Sequence, residues 1–336
     1  MKGFWLLLPA ALLAILALTI VAFGLPLGES MTLLFEGALA DKFGIHRTIL
    51  KSAPLIMVAL GTIIAWRAGM FNIGGEGQLI FGVCTGGSIA ALCASLPASV
   101  QTPLILVACG VGGAGYAGIA GWLYAARGVN VVISTILLNF VAVHFLSYLV
   151  RGPLQTASGT IPQSEPLEKS VRFAVIDGQT ALHAGVILVP IAAVLTWIWL
   201  MRSTYGFKIR LVGQNPNAAR AARLPVGRIQ VVSLMVSGAL CGLAGGIEYL
   251  GSNGILFDDF SPGWGFMGIP VALLAGLHPI GAIASGLYFG ALFAGSKNLE
   301  AFGSTGSALV FAMQGAAVLA FAALSRFAVK HREAQA

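Results

Sequence analysis

The residues best suited to binding a polar solute lie in one glycine-rich stretch, residues 71–78. It reads Phe-Asn-Ile-Gly-Gly-Glu-Gly-Gln and separates two strongly apolar runs. Irregular backbone beside a membrane is tolerated only where it lines a cavity or is buried in protein, and such glycine-interrupted segments mark ligand sites in transporters. Asn72, Glu76 and Gln78 are therefore candidate pathway residues. Arg67 is the expected partner of Glu76, because an unpaired charge there is costly. The alternative is an ordinary cytoplasmic turn.

A second candidate site is a short helix within residues 202–228, a segment with six basic residues and no acidic one. Asn215 is a good N-cap, and Pro216 suits the first helical position. Pro225 should end the helix at or before Leu224. A capped helix of about eight residues that, apart from its two arginines, are mostly alanine lets another protein approach closely, so we predict a docking helix. The alternative is a helix that lies on anionic lipid through its arginines.

A third candidate is the apolar run 264–276, which as a helix would span only about 20 Å, less than the ~30 Å core of a membrane. It must therefore be tilted, broken or re-entrant. Ser261 as cap and Pro262 as first residue are its expected start. Trp264 and Phe266 follow, and aromatic rings beside free helix N–H groups could stack on a planar base or pack on a sugar. The alternative for both aromatics is an interfacial belt.

The whole chain has the composition of a membrane protein. Of its 336 residues, 57% are apolar and 9% are charged, whereas soluble domains carry roughly 25% charged residues. The mean hydropathy is +0.90. So few charges cannot cover a water-facing surface, which excludes a soluble domain. The basic residues behind the net charge of +7 lie beside apolar runs, so they indicate membrane orientation and not nucleic-acid binding.

Ten apolar runs predict an all-α polytopic membrane protein of about ten transmembrane helices, at least one of them short or broken. They lie at about 4–23, 48–66, 78–95, 104–126, 131–150, 182–201, 229–250, 264–276, 280–295 and 307–327. The basic segment 202–228 must be cytoplasmic, and ten crossings then place both termini in the cytoplasm. Residues 151–181 form a structured extracytoplasmic loop, and residues 24–47 contain an amphipathic stretch at the outer surface. We expect residues 1–336 to form a single membrane domain, with the first run retained.

Several catalytic classes lack their characteristic residues in this sequence. It contains no Gly-x-x-x-x-Gly-Lys-Ser/Thr phosphate loop and no Gly-x-Ser-x-Gly elbow. Its five histidines and four cysteines show no metal-ligand spacing. We therefore expect no catalytic residue, no metal and no cofactor, and a membrane enzyme has little support.

The basic segment resembles the coupling loop of permease subunits of ATP-binding-cassette (ABC) importers. The match comprises Tyr205, Gly206, Arg210, Gly213, Asn215, Pro216, Ala218, Ala219 and Arg220. The similarity is to the branch that handles ribose-like sugars, branched-chain amino acids and nucleosides, in which the short helix sits in a groove of the ATPase subunit. The resemblance implies that the last six of these residues couple the chain to an ATPase. Ala221 and Ala222 depart from the family's aromatic or Leu-then-Gly continuation.

The other stretches are similar to the same family. Residues 72–78 resemble the Asn-Ile-Gly-x-Glu-Gly-Gln signature of nucleoside importer permeases. Residues 263–274 resemble a Gly-x-Gly-Phe-x-Gly-Ile-x-Val-Ala-Leu-Leu pattern, from which Pro270 departs. Asn139 is a lone amide in an apolar helix, which usually bonds to another helix. It lies in a segment like the family's Met-Leu-Asn-Tyr. The implied pathway residues are Asn72, Glu76, Gln78, Asn139, Trp264 and Phe266.

The resemblance also implies partners and a location. The chain would be a multi-pass permease of the inner (plasma) membrane that contacts lipid but no nucleic acid. Its partners would be an ABC ATPase subunit, a second permease that completes a heterodimer, and an extracytoplasmic solute-binding protein. The implied activity is ATP-driven import of a small polar solute, a nucleoside in the first instance. The alternatives are a sugar as the solute, or an ion-coupled secondary transporter, which would need a midplane acid or cation site.

Overall fold

A computed structural model describes residues 2–157, 159–302, 311–312, 315–316 and 319. Over these residues the fold is helical, without strands beyond two isolated bridges, as predicted. The helices are α1 (Lys2–Ala22), α2 (Leu27–Ala38), α3 (Lys42–Arg67), α4 (Gly75–Leu92), α5 (Ala98–Arg127), α6 (Val131–Val150), α7 (Leu188–Trp197), α8 (Thr204–Gln214), α9 (Pro216–Ala221), α10 (Val226–Ile247), α11 (Trp264–Leu274) and α12 (Gly281–Phe302). The predicted helix at 307–327 lies mostly outside the described residues.

Five helical stretches in the described part of the chain are long and apolar enough to cross a membrane. They are Lys42–Arg67, Ala98–Arg127, Val131–Val150, Ala184–Arg202 and Val226–Asn253. The last two include π-helical turns that extend α7 and α10. α11 is apolar but has only 11 residues, as its sequence predicted. The prediction of an all-α polytopic membrane protein is confirmed.

The chain divides into two compact units, Met1–Ser52 with Leu287–Ala336 and Ala53–Gly286. In the first unit, residues 24–47 form α2 and the first turns of α3. The Asp41 carboxylate accepts from Gly44 N at 2.7 Å near the start of α3. The Thr48 hydroxyl of α3 donates to Ala38 O at 2.8 Å, which joins α3 to the end of α2.

The backbones of α4, α5 and α10 touch at glycines in the second unit. A Cβ added at Gly113 of α5 would lie 2.3 Å from the carbonyl oxygen of Gly238 in α10. A Cβ added at Gly82 of α4 would lie 2.6 Å from Gly242 Cα in α10. Small residues of this kind let membrane helices approach closely enough for dispersion forces and polar backbone contacts to hold them together. Some of the 44 glycines of the chain therefore serve helix packing.

Residues 151–181 fold back onto residues 250–257 through backbone hydrogen bonds. Ser164 N donates to Leu256 O at 2.8 Å, and Ser164 Oγ accepts from Leu256 N at 2.9 Å. The Arg172 guanidinium donates to two further carbonyls of this stretch, at 2.9 and 3.1 Å. These contacts order the segment, and its extracytoplasmic location stays a prediction.

Two glycines of α5 provide a matched test of the packing. We expect Gly113→Ala to lower the free energy of unfolding in detergent by about 1–3 kcal/mol, because the methyl group overpacks the contact with α10. An added Cβ at Gly115 has no described atom within 4 Å. Gly115→Ala should therefore be neutral, or stabilise the helix by up to ~1 kcal/mol. Thermal unfolding measures both variants, and equal effects would contradict the close approach.

Candidate functional site

Asn72 is the centre of a buried hydrogen-bond cluster between α3 and α4. Its Nδ2 donates to Gln78 Oε1 and to Ser237 Oγ, both at 2.9 Å. Its Oδ1 accepts from Gly74 N at 2.9 Å and from Gln78 Nε2 at 3.0 Å. Asn72 and Gln78 are 3% and 2% exposed. In this conformation, these two predicted pathway residues therefore stabilise the loop and are shielded from solvent.

Asn139 of α6 caps the start of α4. The N-cap position of α4 is Gly74, which has no side chain to fill this role. The Asn139 Oδ1 accepts instead from Gly77 N at 2.8 Å, and its Nδ2 donates to Ile73 O at 3.0 Å. One amide from a neighbouring helix thus satisfies a free N–H at the helix N-terminus and a loop carbonyl.

The Glu76 carboxylate lies at the N-terminus of α11. Its Oε2 accepts from Gly265 N at 2.6 Å, and the Ser261 hydroxyl and Gly263 backbone also hydrogen-bond to it. A helix N-terminus offers unpaired N–H groups and partial positive charge, so it compensates a buried carboxylate without a basic side chain. The prediction that Arg67 pairs with Glu76 is therefore wrong.

Arg67, the last residue of α3, binds the opposite end of α11. Its Nε and Nη2 donate to Leu277 O at 3.1 and 2.9 Å, and Nη2 also donates to Gly276 O at 3.4 Å. Gly276 and Leu277 have left-handed φ values of 60° and 54°, which end the helix there. Carbonyl groups at a helix C-terminus lack intrahelical partners and carry partial negative charge. α11 therefore has an anionic side chain at its N-terminus and a cationic one at its C-terminus.

The loop 68–74 is re-entrant and returns alongside α11. A Cβ added at Gly268 of α11 would lie 2.4 Å from Val58 Cγ1 of α3, and one added at Gly75 would lie 3.2 Å from the same atom. Val58 precedes Arg67 by nine residues of helix, or about 14 Å along the axis. The chain therefore travels back by roughly this distance before α4 begins. An ordinary turn would instead start α4 beside the end of α3.

The two aromatic residues at the start of α11 have different surroundings. Trp264 is 4% exposed and Phe266 is 46% exposed. Ser261 Oγ accepts from Trp264 N at 3.1 Å, but the N-cap position of α11 is Gly263 and not Ser261 as predicted. The predicted first helical residue, Pro262, is wrong: Gly263 has a φ of 92°, and the helix begins at Trp264. Phe266 is thus the pathway candidate that presents ring surface outside the chain.

The predicted short helix is present as α9, from Pro216 to Ala221. The Asn215 side chain accepts from the backbone N–H groups of Asn217 and Ala218 at 3.1 and 3.0 Å. Pro216 occupies the first turn. The predicted start of the helix is therefore confirmed, with an N-cap that fixes its orientation.

The end of α9 comes three residues before the predicted limit, Leu224. Leu224 N donates to Ala219 O, and Arg223 N donates to Arg220 O. Arg223 has a left-handed φ of 57°. This combination of bonds closes a helix by itself, so Pro225 is not what ends it.

The predicted coupling residues on α9 differ in exposure. Asn215, Ala218 and Arg220 are exposed, whereas Ala219 is completely buried because α9 packs against α8 and α10. Ala219 therefore holds the helix to its own chain. The exposed residues form the surface that another protein can contact.

Gly213, near the end of α8, joins this segment to the re-entrant loop. A Cβ added at Gly213 would lie 2.1 Å from Arg67 O and 3.0 Å from Gly69 N. The backbone of α8 thus rests directly on the first residues of the loop. A side chain at this position would force α8 and the end of α3 apart, which gives a steric reason for glycine in the coupling pattern.

A cavity of about 320 Å³ lies elsewhere, between the segment 151–181 and the ends of α4 and α5. None of the six predicted pathway residues lines it. Ala157 N and the Thr156 hydroxyl hydrogen-bond to Glu165 on its rim and hold the pKa of that carboxyl below its usual range. In the part of the chain that the structure describes, no group of three histidine, cysteine or acidic residues is placed to hold a metal.

Comparison with known proteins identifies the family. A family model described as branched-chain amino acid transport system / permease component matches residues 44–321. The chain belongs to this permease family. It is therefore the membrane subunit of an ABC importer and not an enzyme, and it is a multi-pass protein of the plasma membrane. Membership also decides against the ion-coupled secondary transporter.

Curated relatives match the permease over most of its length. It is 34% identical to the glucose ABC transporter permease protein TsgB13 of Haloferax volcanii, over 96% of this chain and 87% of that protein. It is 33% identical to the guanosine ABC transporter permease protein NupP of Bacillus subtilis, over 84% of this chain and 82% of that protein. It is 31% identical to the nucleoside ABC transporter permease protein NupB of Lactococcus lactis, over 79% of this chain and 76% of that protein.

Sequence reasoning missed one residue of the site and the role of another. Ser237 of α10 binds Asn72, but it is one serine in an apolar helix and carries no signal of its own. Arg67 was noticed only as a partner for Glu76. Its position at the end of α3 and the shortness of α11 were both visible, but their contact joins residues 210 positions apart.

Asn139→Ala tests how the re-entrant loop is held. We expect the free energy of unfolding to fall by about 1–3 kcal/mol, because Gly77 N would be left buried without a partner and the part-buried Ile73 O would lose its bond to Asn139. Thermal unfolding of the purified permease measures the change. Asn217→Ala, which removes an exposed amide on α9, is the control and should cost less than ~0.5 kcal/mol. Equal stability of the two variants would show that other contacts hold the loop.

Proposed function

We propose that the permease imports a neutral, hydroxylated solute, and that this solute is a nucleoside. Two of the relatives reported above are named for guanosine or nucleosides and one for glucose. Nucleosides and glucose share a ring with several hydroxyl groups and no net charge. The names therefore support this solute class, and chemistry at the site must distinguish its members.

The neutral chemistry around the re-entrant loop carries the proposal. Asn72, Gln78 and Asn139 contribute amides, and Ser237 contributes a hydroxyl. The Glu76 charge is already compensated by α11. Amides and hydroxyls donate and accept hydrogen bonds without charge, so they match hydroxyl groups and base edges. An ionised amino acid would leave its own charges without partners in such a pathway.

The exposed ring of Phe266 favours a nucleoside over a sugar. It lies in the first turn of α11, the helix that Glu76 binds. An aromatic ring stacks on a planar base over its full face, whereas a sugar offers only its CH groups. A sugar is the second candidate, because the relative with 34% identity is named for glucose.

Uptake by the complete importer in proteoliposomes tests the solute class. We expect labelled guanosine to accumulate with ATP, and a large excess of glucose to leave its uptake unchanged. Phe266→Ala should lower guanosine uptake about ten-fold, since base stacking on an aromatic ring contributes ~1–3 kcal/mol. Phe140→Ala, an exposed ring on α6, is the control. Uptake of glucose and not guanosine would identify the sugar as the solute.

We also propose how the importer is assembled. The exposed surface of α9 docks on the ATPase subunit, and the basic charge of the segment 202–228 supports a cytoplasmic position for that surface and for both termini. The family supports ATPase and solute-binding partners. The chain also matches the permeases NupQ and TsgC13, from the same organisms as NupP and TsgB13. Such pairs support a second, different permease in the complex.

Tryptophan substitutions on α9 separate docking from folding. Ala218→Trp should leave thermal stability unchanged but weaken ATPase binding at least several-fold, because the bulky ring covers the exposed surface. Ala219→Trp should instead lower stability, because that methyl group is buried. Ala125→Trp on the exposed end of α5 is the control. ATPase binding is measured by co-purification, and normal binding by Ala218→Trp would place docking on another surface.

A further inference from the structure

We propose that Arg67 is a positioning residue that transmits movement of the coupling segment, residues 202–228, to the solute pathway. The inference rests on the proposed docking of α9. It adds the physical connection between that docking and the re-entrant loop. The connection consists of one backbone contact, one guanidinium and one short helix, all in the second unit of the chain.

The first step is the contact between α8 and the end of α3. Gly213 precedes the N-cap of α9 by two residues, and its added Cβ would lie 2.1 Å from Arg67 O and 2.8 Å from Arg67 C. Two backbones in direct contact have no side chain between them that could change rotamer and absorb a shift. A displacement of α8 toward α3 therefore displaces Arg67.

The second step is the hydrogen bonding of Arg67 to the C-terminus of α11. The guanidinium donates to the carbonyls of Gly276 and Leu277 through two of its nitrogen atoms. A planar fork that binds two acceptors holds their orientation as well as their distance, which the ammonium group of lysine cannot do. Movement of the Arg67 backbone is therefore passed to the C-terminus of α11.

The third step is the closed ring of contacts that follows. The N-terminus of α11 is bound by Glu76 through Gly265 N at 2.6 Å. Glu76 and Arg67 are joined in turn by the loop 68–74 and the first residue of α4, Gly75. Because α11 is held at both ends by residues that flank one loop, the helix and the loop constitute one rigid element. This element includes Asn72 and Phe266. A displacement of the α8 backbone at Gly213 therefore moves residues of the proposed pathway.

The complete importer in nanodiscs tests the relay directly. Phe266→Cys serves as a reporter, in a Cys93→Ser background because the other three cysteines are buried. With Arg67 intact, we expect a non-hydrolysable ATP analogue to change the rate of thiol labelling several-fold. In Arg67→Ala the ATP-dependent change should disappear while ATPase binding persists. With Phe266 restored, solute imported per ATP hydrolysed should fall about ten-fold, as for loss of charge-assisted hydrogen bonds.

Three further variants complete the test. Arg127→Ala, an exposed arginine at the end of α5, is the matched control and should behave as wild type. Arg67→Lys should restore part of the coupling, and Gly213→Ala should shift labelling without nucleotide. If Arg67→Ala does not assemble, the Arg67→Lys and Gly213→Ala variants test whether Arg67 transmits the movement. Wild-type coupling in the Arg67 and Gly213 variants would overturn this inference and leave the proposed docking of α9 unaffected. An ATPase that binds normally after the Ala218→Trp change would contradict the proposed docking and with it the relay.

Discussion

A helix too short to cross the membrane imposes the main constraint on this permease. α11 has 11 residues, about 16 Å of helix, so both of its ends must be satisfied by protein groups. Glu76 binds the positive end and Arg67 the negative end. Because these residues lie on either side of the loop 68–74, the loop has to run the length of α11. The re-entrant course of the glycine-rich stretch follows from this electrostatic match.

The glycines at the start of α4 serve close contact and not unusual backbone conformation. Gly74, Gly75 and Gly77 are not among the glycines with positive φ. A Cβ at Gly265 would lie 2.0 Å from Glu76 N, so the starts of α4 and α11 meet backbone to backbone. Gly213 makes the same kind of contact with Arg67. Motion can pass through these junctions because they contain no compressible side chains.

The sequence predicts features that depend on neighbouring residues. The Asn215 cap, the shortness of α11 and the bounds of α6 (Val131–Val150) all follow from local patterns. It does not predict which distant groups meet. Glu76 and Arg67 are obvious partners by proximity, yet Glu76 binds a residue 189 positions away. The sequence also does not predict that α9 has six residues and not about eight, since the left-handed conformation of Arg223 that closes it is rare for a side chain of that type.

The bonding of Asn72 connects opening of the pathway to the choice of solute. Four hydrogen bonds use its amide fully, and leaving one of these buried groups without a partner costs about 1–3 kcal/mol. A solute with several donors and acceptors can replace these bonds as the loop moves, whereas an apolar solute cannot. A hydroxylated solute would thus favour the open state by its differential binding. If the proposed function holds, ATP-driven movement would have to supply only the remaining free-energy difference, and the solute would be selected by its ability to replace the bonds that hold Asn72 in this structure.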